Sequence, residues 1–460
     1  MTGARPIPGS FRDPAGFVFE RDGILYRQVD RSFGDRFDRF RDSGLLNELV
    51  ETGLLVPHED ADPSLAAAPG AHAILRPQRV PFVSYPYEWC FGQLRDAALA
   101  TLATQRTAMA RGFTLRDASA FNVQFLRGRP VLIDVLSFEP IRPGEPWAAY
   151  GQFCRHFLAP LALMATRDAR LGSLLATHLD GIPLDLAAVL LPRRARLRAG
   201  LMLHLTAHAR SERRRARPDG PARARTFSER AFRGLIESLE SAVRRLEWDP
   251  PVTAWSDYYA GGHAYSEQAL RRKEELVRKL LEEAAPATVW DLGANTGRFS
   301  RIAAHTGAFT VAIDSDPAAV EAAYREVGRE PTGGILPLVM DLADPSPRRG
   351  WAHQERMSLA DRGPADAVMA LALVHHLAIG NNVPLPAVAD WLAELGRWAL
   401  VEFVPKEDPQ VREMLALRED VFPGYTEDGF RGAMGGPFEI VRREPVEPSG
   451  RTLYLLRRRR

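Results

Sequence analysis

Three aspartates and a pair of histidines follow short apolar runs in the second half of the chain. Val289-Trp290-Asp291 leads into Leu292-Gly293-Ala294-Asn295-Thr296-Gly297, and Phe309-Thr310-Val311-Ala312-Ile313 ends at Asp314-Ser315. Val339-Met340 runs into Asp341-Leu342, and a fourth run through Leu371 reaches Val374-His375-His376. A carboxylate at a strand tip can accept hydrogen bonds from both hydroxyls of a ribose. Glycines such as Gly293 and Gly297 let the backbone take unusual dihedrals and approach a ligand closely. Asn295 stands where many such loops carry another glycine, and Asn tolerates the left-handed region. Imidazole titrates near neutral pH, so His375 or His376 could take a proton from a reacting group. On an extended or turn backbone adjacent side chains diverge, so one of the two is expected to face the site.

The first half carries a different constellation. Asp117 is followed five places on by Asn122 in Asp117-Ala118-Ser119-Ala120-Phe121-Asn122, and Pro130-Val131-Leu132-Ile133 ends at Asp134. An acid, an amide five places on and a second acid closing a short strand form a pattern specific enough to compare with known folds. Asp117 and Asn122 would also serve simply as turn caps. No lysine precedes Lys273, so Arg27 in Leu25-Tyr26-Arg27-Gln28-Val29 is the nearest cation on an upstream strand. A planar guanidinium does not reproduce a compact ammonium.

These residues need elements to hold them. In the second half, apolar runs ending in acids alternate with helical patterns, which predicts a parallel sheet with a ligand across its carboxyl edge. Residues 438–441 and 452–456 predict two further strands pairing antiparallel, and residues 457–460 a solvated tail. Residues 386–398 and 410–418 predict helices, with a strand over 399–404 between them. In the first half, Asp22-Gly23 predicts the turn of a hairpin over 17–29. Residues 38–55 predict one helix, 57–71 a loop, 91–110 a long helix and 146–208 a helical region. Pro218-Asp219-Gly220-Pro221 and Trp248-Asp249-Pro250-Pro251 mark breaks. Three segments follow: 1–212, an Arg-rich linker with a helix over 213–250, and 251–460.

On these motifs residues 258–460 resemble a class I S-adenosylmethionine-dependent methyltransferase. The loop 291–297 matches the family's first motif, with Asn295 as the departure, Asp314 its ribose acid and Asp341-Leu342 its adenine-side motif. The expected fold class is α/β: a Rossmann-like, seven-stranded sheet preceded by an α+β domain. The resemblance implies donor binding by Asp291, Gly293, Asn295, Gly297, Asp314, Ser315, Asp341, Leu342 and Leu371. Tyr258 is expected to close over the donor, with Tyr265 and Ser266 as further candidates. Residues 15–210 resemble the protein-kinase-like fold, in a degenerate form. That resemblance implies that Asp117 faces a hydroxyl and that Asn122 and Asp134 hold a Mg²⁺-nucleotide. The missing lysine and glycine-rich phosphate loop argue against ordinary kinase turnover.

Composition bounds the rest. The 460 residues carry a net charge of +2, with 45% hydrophobic and 26% charged residues, ordinary for a globular protein of two or three domains. Two cysteines offer neither a disulfide framework nor a metal site. No leader or membrane span is read, so a cytoplasmic location and no membrane partner are expected. Eleven arginines between 193 and 225 face only Glu212 and Asp219. They could meet nucleic acid or an acidic partner, but lack interleaved aromatics, so a solvated helix and linker is preferred. The expected activity is methylation of an unidentified acceptor, with oxygen on a small molecule or glycan preferred. The alternatives are RNA methylation using the Arg-rich segment, a bifunctional ATP-binding protein, and a donor-binding protein without catalysis.

Overall fold

Two sheets dominate the chain, a small antiparallel one in the first half and a large, mainly parallel one in the second. A computed structural model describes residues 3–215, 227–253, 266–328, 334–416 and 419–459. The chain divides into two compact units: Met1–Asp249 with Arg348–Arg356, and Pro250–Pro347 with Met357–Arg460.

In the first unit, β1 (Arg5–Pro6), β2 (Gly16–Arg21), β3 (Ile24–Asp30), β4 (His58–Ala61) and β5 (Ala71–Pro77) form one sheet in the order β1-β2-β3-β5-β4. The β2–β3 turn is Asp22-Gly23, with both residues at positive φ, as the hairpin signal requires. Two expectations change here. The single helix over 38–55 is two, Gly34–Asp42 and Leu45–Glu51, because Gly44 between them takes φ 76°. The loop at 57–71 contains β4, whose short polar run pairs with β5 at the sheet edge.

The helix Phe91–Ala110 follows as expected. Two small antiparallel pairs come next: β6 (Phe113–Leu115) with β9 (Phe138–Pro140), and β7 (Val123–Leu126) with β8 (Arg129–Leu132). The region 146–208 is not one run but a series of short helices, with π-helical turns at Cys154–Leu158 and Met202–Ala207. The helix Glu229–Arg244 belongs to this unit, where Glu240 meets Arg106 at 2.8 Å.

The second unit is built on β10 (Thr288–Leu292), β11 (Phe309–Asp314), β12 (Ile335–Val339), β13 (Ala365–Ala370), β14 (Gly396–Phe403), β15 (Phe438–Val446) and β16 (Arg451–Arg458). Their order is β12-β11-β10-β13-β14-β16-β15. The first five run parallel, and β16 alone runs against them, pairing antiparallel with β14 on one side and β15 on the other. The fold is thus mixed α/β with a large parallel-rich sheet. β10 and β11 are buried along most of their length, as strands covered on both faces must be. Arg457 and Arg458 are not tail but the end of β16, where Arg457 faces Glu439 at 2.6 Å.

The helix Glu267–Ala284 shows how sequence becomes packing. Its Leu276, Val277, Leu280 and Leu281 recur at helical spacing and enter a core with Val289, Met369, Leu371, Leu400 and Leu455. Ser266 caps it, its hydroxyl accepting from the Ala269 amide at 3.2 Å.

Candidate active site

The parallel order brings the ends of β10, β11, β12, β13 and β14 to one edge of the sheet. The loop after β10 is held there by its own backbone. Gly293, Asn295 and Gly297 take φ of 79°, 53° and 77°, so all three use the left-handed region. The amides of Gly293 and Ala294 both donate to the carbonyl of Ile313 at 2.9 Å, which ties the loop to β11. The Asn295 amide donates to Asp314 Oδ2 at 2.8 Å, and Asn295 Oδ1 accepts from the Thr296 amide at 2.6 Å. At Gly293 it is the backbone that favours glycine: a φ of 79° would strain any other side chain, although a Cβ there would meet only Leu373, at an ordinary 3.4 Å.

Asp314 is therefore central to the loop as well as standing at a strand tip. Its Oδ1 accepts from the Asp316 amide at 2.9 Å. Burial pushes its carboxyl above the usual carboxylate range, while the Asp316 and Asn295 amides pull it back. Each carboxylate oxygen has a second lone pair, so both can still accept from a ribose hydroxyl. The donor set and the glycine cradle thus fit a nucleoside bearing a ribose. Ser315 and Asp341 are exposed at the same edge, and Asp341 Oδ1 accepts from the Ala343 amide at 2.8 Å. Leu342 and Leu371 are buried. Tyr258 and Tyr265 lie outside the described residues.

Asp291 faces inward. Its Oδ2 accepts from the buried Ser300 hydroxyl at 2.6 Å, and burial raises its carboxyl to about 7. Nearby, Lys273 Nζ meets Glu402 Oε2 at 2.7 Å with both side chains buried, and lies 4.6 Å from the centre of the Phe299 ring. Burial lowers the Lys273 ammonium, while Glu402 raises it. Lys273 has no role legible from the sequence alone. A signal was present, because Lys273 falls on the apolar stripe that includes Ala269, Leu270, Leu276 and Val277. Arg451, also buried, pairs with Asp408 at 2.7 Å.

The histidines follow β13. They do not sit on an extended or simple turn backbone: Val374 and His375 are helical and His376–Gly380 is a π-helical turn. Successive side chains there are about 100° apart rather than opposed. The two rings consequently lie side by side, 4.1 Å between centroids, and do not diverge. His375 is 0% exposed and neither ring nitrogen has a hydrogen-bond partner, whereas His376 is half-buried. Burial lowers both, with His376, Arg451 and Lys273 adding to the effect at His375, and Arg451 at His376.

A pH dependence follows. His375 is held neutral in the fold, while the unfolded chain binds a proton below about 6.5. Its contribution is complete above that pH and is lost as the pH falls. The cost is about 1.4 kcal/mol per pH unit while the unfolded histidine alone is protonated. Asp291, raised to about 7, acts in the opposite sense over the same range, so the comparison of native chain and His375→Gln by urea unfolding between pH 7 and 5 isolates the histidine: stability of the native chain should fall relative to the variant by one proton's slope. An unchanged slope in that variant would contradict the assignment.

The constellation in the first unit is closed on itself. Asp134 Oδ1 meets Arg27 Nη2 at 2.6 Å and the Leu136 amide at 3.1 Å, and its Oδ2 accepts from the Ser137 hydroxyl. Arg27 also reaches Asp13 at 3.2 Å. Asp117 Oδ1 accepts from Gln152 Nε2 at 2.7 Å and from the Ser119 amide at 2.9 Å. Asn122 Nδ2 donates to the Ser137 hydroxyl at 3.4 Å. Among the described residues, no group of three or more His, Cys, Asp or Glu is arranged to hold a metal ion. The expected Mg²⁺-nucleotide therefore finds no support, because the arginine on β3 occupies the carboxylate a cation would need.

No helix among the described residues is long and apolar enough to cross a membrane. No family model matches the chain. Among solved structures, the bifunctional kinase-methyltransferase WbdD aligns at 18% identity over 44% of this chain and 42% of its own, with a TM-score of 0.31. Magnesium protoporphyrin IX methyltransferase ChlM from Synechocystis aligns at 18% over 47% of this chain and 92% of its own, TM-score 0.32. The N-methyltransferase NodS from Bradyrhizobium japonicum aligns at 13% over 42% and 99%, TM-score 0.32. A relative is far more similar in sequence: nodulation protein NoeA of Rhizobium meliloti is 37% identical over 460 residues, 98% of this chain and 96% of its own. Identity at that level along nearly the whole of both chains means that this protein belongs to the NoeA family of nodulation proteins.

Proposed function

We propose that the second unit is an S-adenosylmethionine-dependent methyltransferase with a Rossmann-like core. One observation carries this reading: Asp314, at the tip of β11, accepts the Asn295 amide from the loop after β10. The acid that would grip a ribose and the loop that would approach the donor are thereby fixed to each other. When bound, S-adenosylmethionine supplies an already activated methyl group. The chain's own residues have only to hold, align and shield.

Gly293, Asn295 and Gly297 would let the backbone lie against the donor, with Asp314 on the ribose and Asp341 and Leu342 on the adenine side. Asp291 supports the loop from beneath through Ser300. Of the two histidines, His376 is the one to take a proton from the acceptor, because His375 is closed to solvent beneath it. An oxygen on a small molecule or glycan is the preferred acceptor, since neutral imidazole suits removal of a hydroxyl proton as the bond forms.

The test is methylation of cell extract with labelled donor, separated into small-molecule, glycan and nuclease-sensitive fractions. Label in the first two supports the proposal, label lost to nuclease moves the acceptor to RNA, and no label in any fraction contradicts methyl transfer. Asp314→Ala should weaken donor binding about 10- to 150-fold, the loss of one charge-assisted hydrogen bond. Unchanged affinity in the folded variant would remove Asp314 from the ribose.

A second reading concerns the first unit, which we infer to be a degenerate kinase-like module that binds or scaffolds without phosphorylating. It is favoured by the Arg27–Asp134 pair. ATP consumption with Mg²⁺ or Mn²⁺ should be no greater for the native chain than for Asp134→Ala. Turnover abolished by that substitution would make the protein bifunctional.

A further inference from the structure

Large exposed apolar side chains are scattered singly over the described surface except in one stretch. Val189, Leu197, Met202 and Leu203 are 65%, 78%, 49% and 53% exposed, all within the helical segments from Leu184 to Ala207 of the first unit. Isolated exposed leucines are ordinary, but a contiguous group of large aliphatic side chains marks a surface that meets something. Val189, Leu197 and Met202 line one open groove, together with Arg193, Arg196 and Arg210 and a single exposed acid, Asp185.

The basic residues are as local as the apolar ones. Arg193, Arg194, Arg198 and Arg210 are exposed around the same groove and its neighbouring turns. Arg196 is turned inward by comparison, donating to the carbonyls of Leu191 and Val189 at 2.9 and 2.6 Å. Its bonds brace the turn that presents Leu197. Arg213, Arg214, Arg215, Arg217, Arg223 and Arg225 continue the basic run in sequence, with Glu212 and Asp219 as its acids. Net charge over the whole chain is only +2, so this concentration is local.

We propose that this face docks on an anionic lipid surface. Aliphatic side chains would enter the boundary between headgroups and acyl chains while the guanidinium groups meet lipid phosphates. The composition discriminates among anionic partners. A nucleic acid would use arginines with aromatic side chains for stacking, and no aromatic interrupts residues 189–210. Two modest signals, apolar and basic, are what reversible attachment to a membrane surface requires. The inference is independent of the methyl-transfer reading, because it uses no residue of the second unit.

The experiment is co-sedimentation of the full chain with vesicles of phosphatidylcholine alone and of phosphatidylcholine mixed with phosphatidylglycerol. The native chain should pellet with the mixed vesicles only, and salt should release it. Arg193→Ser/Arg194→Ser/Arg198→Ser should weaken binding roughly a hundredfold, from about fivefold per arginine. Leu197→Ser/Leu203→Ser should weaken it about tenfold or more while leaving all charges in place. All five substituted side chains are exposed, so both variants should keep the native melting temperature. Failure of the native chain to bind mixed vesicles overturns the proposal. So does binding that the leucine variant retains in full, which would mean charge alone at work, as does RNA binding tighter than vesicle binding.

Discussion

Replacing His376 by Ala is expected to lower the rate of methyl transfer by about 10²–10⁴-fold, the usual contribution of a general base. Donor affinity should barely change, because a group acting on the acceptor's proton holds neither ribose nor adenine. His375→Ala should behave differently. That ring is closed to solvent and packed against His376, so its removal should lower stability and disturb the rate only through its neighbour. Rates and donor affinities of both variants, measured on an extract that supports methylation, separate these roles. Near-normal rate in His376→Ala would mean that the acceptor needs no base from this turn. Loss of donor affinity in proportion to rate would place His376 in the donor pocket instead.

The second large effect is on stability. Glu402→Ala should destabilise the second unit by about 3–5 kcal/mol, because it leaves the Lys273 ammonium buried without its carboxylate. For a unit of this size that corresponds to a fall in its melting temperature of about 6–20 °C. The double replacement Lys273→Met/Glu402→Leu should recover most of the loss, since a buried ion pair can be exchanged for apolar side chains at little net cost. Calorimetric melting of the three proteins decides. A single variant as stable as the native chain would show that Lys273 sheds its proton readily, and a double variant no better than the single would place the cost in packing.

Much of the second unit was legible because its signals are local. A strand tip, an acid and a glycine-bearing loop are consecutive in sequence, so the position of Asp314 at a strand end and of the 291–297 loop after a strand can be read from neighbours alone. Asp22-Gly23 is equally local, and its hairpin follows. What escaped was set by contacts distant in sequence or by small dihedral events. Gly44 splits a helix whose apolar pattern runs on across it. β4 is too short and polar to announce itself beside Pro, Ala and Gly. The backbone under the histidine pair is not legible, because the turn after β13 is π-helical and nothing in Val374-His375-His376 signals that geometry.

The ion pairs divide in the same way. Lys273 could have been noticed as a charge on an apolar helical stripe, but its partner Glu402 lies on β14, and only the sheet order brings the two together. Arg27 was identified as the cation nearest in kind to the missing lysine. That it closes directly on Asp134 is a property of the fold, and it changes the reading from a weak nucleotide site to one already filled by protein groups.

Calorimetric titration of the full chain with S-adenosylmethionine, beside Asp314→Ala, decides whether the second unit holds a methyl donor. Saturable binding to one site is expected in the native chain, weakened about 10- to 150-fold in the variant without loss of folding. No binding by the folded native chain, or equal binding by the two, would contradict it.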